Sequence, residues 1–212
     1  MATWRERIRV LIGVLTFGWS TSCLIPEGLS AVTSFDAERY LGKWYEIRRL
    51  PVRFENGVDY VYANYSKIEG KDGVIRVHNS GRRADGSISE IYGEAKFAVD
   101  PTVGQLKVSF FKPFWGGYNI IALDKDNYEW AMVSGSTRDM LWILSRAPQM
   151  DESVMLKLIA QASDWGFDTS QLYATVQAVE DVDLNGVKDV DLNGVKEVDL
   201  NGVKEVEETC AM

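Results

Sequence analysis

The 212-residue chain has two cysteines, Cys23 and Cys210, one histidine, His78, and five prolines. Two cysteines near opposite ends build no disulfide framework, and one histidine beside them builds no structural zinc site. The strand-forming middle of the chain contains neither cysteine, so a nucleophile with an imidazole base at hand is missing as well. The expectation is a protein that is not an enzyme, with no metal and no cofactor. Excess positive charge is also absent, since the formal net charge is −8. Residues 180–208 hold ten Asp or Glu against three Lys, a net of −7, which leaves −1 for the rest. A nearly neutral body gives no footprint for nucleic acid. Hydrophobic residues at 46% with charged residues at 25% exclude both a mostly disordered chain and a polytopic membrane protein.

What is present begins with Arg5, Arg7 and Arg9, followed by an apolar run over residues 10–19, too short to span a bilayer as a helix. Residues 1–22 therefore read as a signal peptide, with residues 23–33 as a linker. Ser20, Thr21 and Ser22 lead into Cys23, an arrangement that resembles the lipobox of bacterial lipoproteins. That resemblance implies lipidation of Cys23 after cleavage, and Leu24 in place of Asp implies the outer membrane. Ser20 and Ser22 stand where such boxes usually have Leu and a small Ala or Gly. A cleaved, soluble exported form and an uncleaved anchor therefore remain as alternatives.

From residue 34 to 178 the sequence predicts consecutive strands and then one helix. Runs rich in Val, Ile, Tyr, Phe and Trp cover residues 43–52, 58–68, 74–79, 88–97, 105–112, 118–124, 129–134 and 140–146, separated by turn-forming Gly, Asp, Asn and Pro. Acidic residues open a helix after Pro148, and Met155, Leu158, Ile159 and Ala162 recur at helical spacing up to Gly166. Residues 172–176 read as an added strand. Eight antiparallel strands joined by short turns close naturally into an all-β, up-and-down barrel, with the helix packed outside.

Particular motifs carry a family resemblance. Residues 36–45 (DAERYLGKWY) hold Gly42-x-Trp44 at the start of the first strand, and residues 142–146 (WILSR) end the eighth on Arg146. FENG at 54–57, ANYS at 63–66, RADG at 83–86, GEAK at 93–96 and FFKPFWGGYNIIALD at 110–124 add to these. Together they resemble the lipocalin family, in the branch of apolipoprotein D and the bacterial lipocalins, over residues 34–177. The resemblance implies a calycin barrel whose floor is marked by Gly42, Trp44, Asp124 and Arg146. It also implies an outer-membrane lipoprotein, lipid-anchored on the periplasmic side of a bacterial cell, that binds, stores or transports lipid.

Strand direction places Trp44 and Arg146 at one end, where a guanidinium can lie on the indole face. The opposite, open end then gathers Arg49, Arg53, Arg82, Arg83, Lys112 and Arg138 with Phe54, Phe114 and Trp115. Alternation, fixed by charged residues set outward, turns Asn79, Phe97, Val108, Phe110, Asn119 and Ile121 toward the lumen. Strand two leaves its inward set open. Glu46, on the parity of Trp44, reads as a ligand contact or an Arg48 partner. The candidate ligand-binding residues are therefore Asn79, Phe97, Val108, Phe110, Asn119, Ile121, Arg82, Arg83, Arg138 and Trp115. An apolar cup with a basic rim suits a fatty acid or lysophospholipid. The alternatives are a carrier of a neutral isoprenoid, sterol or pigment, and a surface interaction protein acting through its tail; a homodimer stays open.

The tail, residues 179–212, contains three copies of VDLNGVK followed by Asp or Glu, at 182–189, 190–197 and 198–205. Dense charge favours a solvated, disordered segment. Asn-Gly pairs between Val and Leu allow hairpins. Asp181, Asp183, Asn185 and Gly186 match half a calcium loop, but Leu192 stands where the closing Glu belongs.

Overall fold

A computed structural model describes residues 24–51 and 57–177. The expected signal segment, Cys23, Arg53, Phe54 and the acidic repeats lie outside the described residues. In chain order the elements are α1 (Ala37–Tyr40), β1 (Gly42–Arg49), β2 (Val58–Lys67), β3 (Val74–Arg83), β4 (Ile88–Phe97), β5 (Gln105–Ser109), β6 (Gly116–Leu123), β7 (Trp130–Ser134), β8 (Leu141–Ser145), α2 (Glu152–Asp164) and β9 (Tyr173–Ala174). Each strand from β1 to β8 pairs antiparallel with the next, and β8 returns to β1, so the eight close into a barrel without free ends to the sheet. The short β9 adds beside β1 at Arg48 and Arg49.

Two apolar clusters divide the molecule. One fills the barrel: Trp44, Tyr65, Val77, Ala95, Leu106, Ile120, Leu123 and Leu144 are among its buried members. The other lies outside, where Met155, Leu158 and Ala162 of α2 cover Ile121, Ala122, Met132 and Ile143. Helical spacing puts those three side chains on one stripe. The helix starts because Asp151 accepts from the backbone N–H of Ser153 at 2.9 Å and of Val154 at 3.2 Å, satisfying donors that the first turn leaves orphaned.

Three register shifts interrupt the alternation, between Glu46 and Arg48, Asp59 and Tyr62, and Ile120 and Ala122. An extra residue in one strand switches which parity faces in. The strand reaching the open end of the β3–β4 hairpin is also longer than the sequence suggests, running to Arg83 instead of Asn79.

Residues 24–33, expected as a linker, are laid against the barrel. Val32 N–H donates to Ile120 O at 2.9 Å and Gly104 N–H to Val32 O at 2.8 Å, while Ile25 and Leu29 pack on the outer cluster. Their apolar side chains and backbone groups find partners there that a free linker would leave to water.

Candidate ligand-binding site

The floor is built first. Asp36 caps α1 by accepting from Glu38 N–H at 2.9 Å, and this single turn lays Tyr40 across the barrel base. Trp44, fully buried, donates its indole N–H to Tyr40 O at 2.8 Å. The Arg146 guanidinium carbon lies 3.9 Å from the Trp44 ring centroid, a cation–π contact worth about 0.5–2 kcal/mol. Arg146 also donates to Lys43 O at 2.8 Å and Arg39 O at 2.6 Å. Gly42 has φ +94°, a backbone conformation that calls for glycine, and Arg146 Nη1 lies within ordinary contact of where a Cβ would stand. Asp124 accepts from the N–H groups of Asp126, Asn127 and Glu129, each at 3.3 Å, and so shapes the β6–β7 turn.

Above the floor lie three hydroxyls that alternation along the sequence missed. Tyr118 shares hydrogen bonds with Tyr40 at 2.8 Å and Tyr65 at 2.7 Å. Burial pushes the Tyr40 and Tyr118 hydroxyls well above their ordinary range, so both stay neutral. Beside them the cavity between Phe35, Ile75, Val77, Ala95 and Leu106 measures only about 10 Å³. That space suits one water at most. The base of the lumen is thus filled by side chains, and a ligand chain has to end above it.

Asn79, Val108 and Phe110 stand on the open-end side of that base, while Phe97, two residues closer to the floor than Ala95 on β4 and paired with Leu106, belongs to the base itself. Phe97, Val108 and Phe110 pack on the lumen cluster. Asn79 sits two residues beyond Val77 on the same register, and its buried Oδ1 has no hydrogen-bond partner among the described residues. A polar atom taken from water without a partner costs about 1–3 kcal/mol. Phe110 reaches inward because Gly93 lets it approach: a Cβ there would be 2.7 Å from the Phe110 ring and from Ser109 O.

Four expected ligand residues are elsewhere. Ile121 belongs to the outer cluster under α2, because the Ile120/Ala122 shift leaves Tyr118, Ile120 and Leu123 on the lumen side. Asn119 is fully buried, but its Nδ2 donates outside the lumen, to Leu24 O at 2.6 Å and Gly135 O at 3.0 Å. Arg138 is at the open end, yet it is spent on Trp165 O and Glu27 O, both at 2.7 Å. Trp115 turns onto the outer wall, with Lys96 and Lys107 ammonium groups 5.6 and 5.4 Å from its ring. Two lysines on the outward register offer the indole a better seat than the mouth does.

Arg82 and Arg83 do lie at the mouth end, in the β3–β4 hairpin. Arg82 donates to Gly86 O at 3.4 Å and Arg83 to Ser89 Oγ at 2.9 Å. Being consecutive in a strand they face opposite ways, with Arg83 on the register of Asn79. Arg49 is no rim residue. The shift after Glu46 brings Arg49, not Arg48, onto the Glu46 carboxylate, and both are 3% exposed. Thr175 completes the group, donating to Glu46 Oε1 at 2.5 Å and accepting from Arg49 at 3.2 Å. Burial pushes the Glu46 carboxyl up, against the pull of Arg49 and Thr175. Gln177 bridges Glu46 O and Val61 O, both at 2.7 Å, so the chain after β9 seals β1 to β2. This is a structural seam.

His78 is on the outer wall, stacked on Tyr92 with centroids 4.4 Å apart and 3.1 Å from Glu90 Oε1. A groove of about 490 Å³ is lined by Lys71, Arg76, Tyr92, Glu94 and Lys112 of the outer wall together with Gly93 and Phe110. Three of its charges are paired, Lys71 and Lys112 holding Glu94 at 2.8 and 2.7 Å, which brings that carboxyl down to about 2.

A closed eight-stranded barrel, plugged at one end by an Arg-on-Trp floor and lined with apolar side chains, defines a class of small-molecule binding proteins. The chain belongs to the lipocalin-like domain family, whose model matches residues 35–177. It is 47% identical over 148 residues to the outer membrane lipoprotein Blc of Citrobacter freundii, covering 69% of this chain and 82% of that protein. To the protein of the same name from Vibrio cholerae it is 42% identical over 165 residues, 77% of this chain and 93% of that one. Rat apolipoprotein D is 37% identical over 145 residues, 62% and 72% of the two chains. Among solved structures, the cockroach allergen Per a 4 superposes with a TM-score of 0.57 at 18% identity, covering 73% of this chain and 96% of that one, which speaks for the fold alone.

Proposed function

We propose that this protein is a non-catalytic lipid carrier or store of the bacterial outer membrane, anchored on the periplasmic side through an acylated Cys23. Its cargo in this reading is a fatty acid or lysophospholipid whose chain enters the lumen. The observation that carries the reading is the apolar wall of Val108 and Phe110 standing above a filled base, with the unpaired Asn79 Oδ1 beside it. Burying a chain against that wall yields about 25 cal/mol per Å² of apolar surface. A protonated head group or a glycerol hydroxyl has the donor that Asn79 lacks, and Arg83 on the same register suits an anionic head. The Blc relatives, whose names place them in the outer membrane as lipoproteins, support the location.

A neutral isoprenoid, sterol or pigment is the second reading, favoured by one finding: Arg138 is withdrawn from the rim onto two carbonyls. Native mass spectrometry of the protein with its co-purified lipid decides between them. One single-chain anionic or zwitterionic lipid per barrel is expected; a bound neutral terpenoid favours the second reading, and no binding of either on titration contradicts both. The tail reading is tested in the same experiment, since removing residues 180–212 should leave the bound lipid in place.

A further inference from the structure

Two of the four side chains that left the predicted ligand set, Asn119 and Arg138, hold the N-terminal segment beside the mouth. Asn119 Nδ2 binds Leu24 O at 2.6 Å, and Arg138 Nη2 binds Glu27 O at 2.7 Å. Leu24 O also lies against Gly117, whose N–H is tied to Ser136 Oγ at 2.9 Å. Gly117 is the second residue of β6, just after the β5–β6 connection, and Ser136 and Arg138 belong to the β7–β8 connection. Both connections are at the open end. The chain climbs there from the floor, where Phe35 N–H binds Thr102 O at 2.8 Å.

Leu24 follows Cys23 directly, and consecutive Cα atoms are about 3.8 Å apart. Acyl chains on Cys23 would therefore be attached one residue from Leu24, beside the mouth. The mouth also has the surface for a bilayer. Phe111 is 72% and Phe114 77% exposed in the β5–β6 connection, three to six residues from Gly117, and Ile88 is 45% exposed at the neighbouring hairpin. Amphipathic and aromatic side chains of this kind settle at the headgroup boundary. The floor end is different. Its β2–β3 turn is Glu69-Gly70-Lys71-Asp72 and its β6–β7 turn Lys125-Asp126-Asn127, with Val99 the one large exposed apolar side chain among the described residues there.

We propose that the open end of the barrel rests on the lipid bilayer, with Phe111 and Phe114 at its surface, so that cargo passes between membrane and lumen without crossing water. This rests on the acylation of Cys23 taken up in the proposed function. The mouth would then be closed to bulk solvent by the membrane itself, and the floor would face the periplasm.

The test uses the full acylated chain in vesicles of phosphatidylethanolamine and phosphatidylglycerol. In a Cys210→Ser background, Phe114→Cys, Phe111→Cys and Lys125→Cys are each labelled with a fluorophore, and quenching by lipids bearing a nitroxide near the head group is compared. The labels at 114 and 111 should be quenched at least twofold more than the label at 125. Equal quenching, or stronger quenching at 125, on a protein whose residue 23 is acylated by mass spectrometry overturns the orientation alone. A residue 23 without acyl chains overturns the anchor and the orientation together.

Discussion

The floor and the mouth of this barrel obey different rules. At the floor the contacts are local or join the two ends of one motif: Trp44 on Tyr40 O and Asp124 on three backbone N–H groups of its own turn lie within five residues, and Arg146 closes on Trp44 across the first and last strands. At the mouth the positions depend on segments that reach the charged side chains from outside the barrel strands. Arg138 is claimed by Trp165 and Glu27, and Arg49 by Glu46 and Thr175. A charged residue near an open end is thus available to a ligand only if no neighbouring segment reaches it first, and here Glu27, Trp165 and Thr175 do.

The difference can be broken by mutation. The largest effect belongs to the floor: Trp44→Ala should cost about 3–5 kcal/mol in urea unfolding, the usual penalty for deleting a large buried aromatic, and it leaves the Arg146 guanidinium without its aromatic face. A variant of unchanged stability would remove the floor's role as the keystone of the barrel. At the mouth the corresponding site is Thr175. Thr175→Val removes a donor to Glu46 and an acceptor for Arg49 and should cost about 1–3 kcal/mol, together with faster amide exchange at residues 173–177. A loss of stability without that local exchange would deny the seam its sealing role.

These two ends also explain what the sequence revealed. The eight strands, the outer helix and the residues of the floor were legible, because hydrophobic runs, turn residues and a Gly-x-Trp motif each act locally. The lumen was legible where alternation is unbroken, as for Phe97, Val108 and Phe110. Ile121 and Asn119 were misplaced because the shift at Ile120/Ala122 swaps parity in β6, and nothing in the residues around it announces a bulge. Tyr118 was hidden by the same shift. Tyr40 and Tyr65 come from the one-turn helix and from the strand whose faces alternation left undecided.

Smaller effects sharpen the contrast. Replacing Arg82 and Arg83 together with Gln should weaken an anionic single-chain lipid by about tenfold and flatten the salt dependence of binding, leaving a sterol unaffected. Equal titration curves at low and high salt would assign the mouth no electrostatic part. Smallest is the outer wall. Glu94, held down to about 2 by Lys112 and Lys71, contributes stability above its unfolded value of about 4.5 that is lost as pH falls through that range toward 2. Glu94→Gln should reduce the slope of stability against pH in that window only; an unchanged acid limb would mean that the two lysines do not hold the carboxylate in solution.

The central claim is that cargo lies on the inward faces of β3, β4 and β5 and nowhere on the outer wall. Titrating the delipidated protein with oleate while following backbone amide resonances tests it directly. Shifts concentrated at Val77, Asn79, Val108 and Phe110, with Trp115, Asn119 and Ile121 little changed, are the predicted result. Shifts centred on Trp115 or Ile121, or none at saturating lipid, would contradict it.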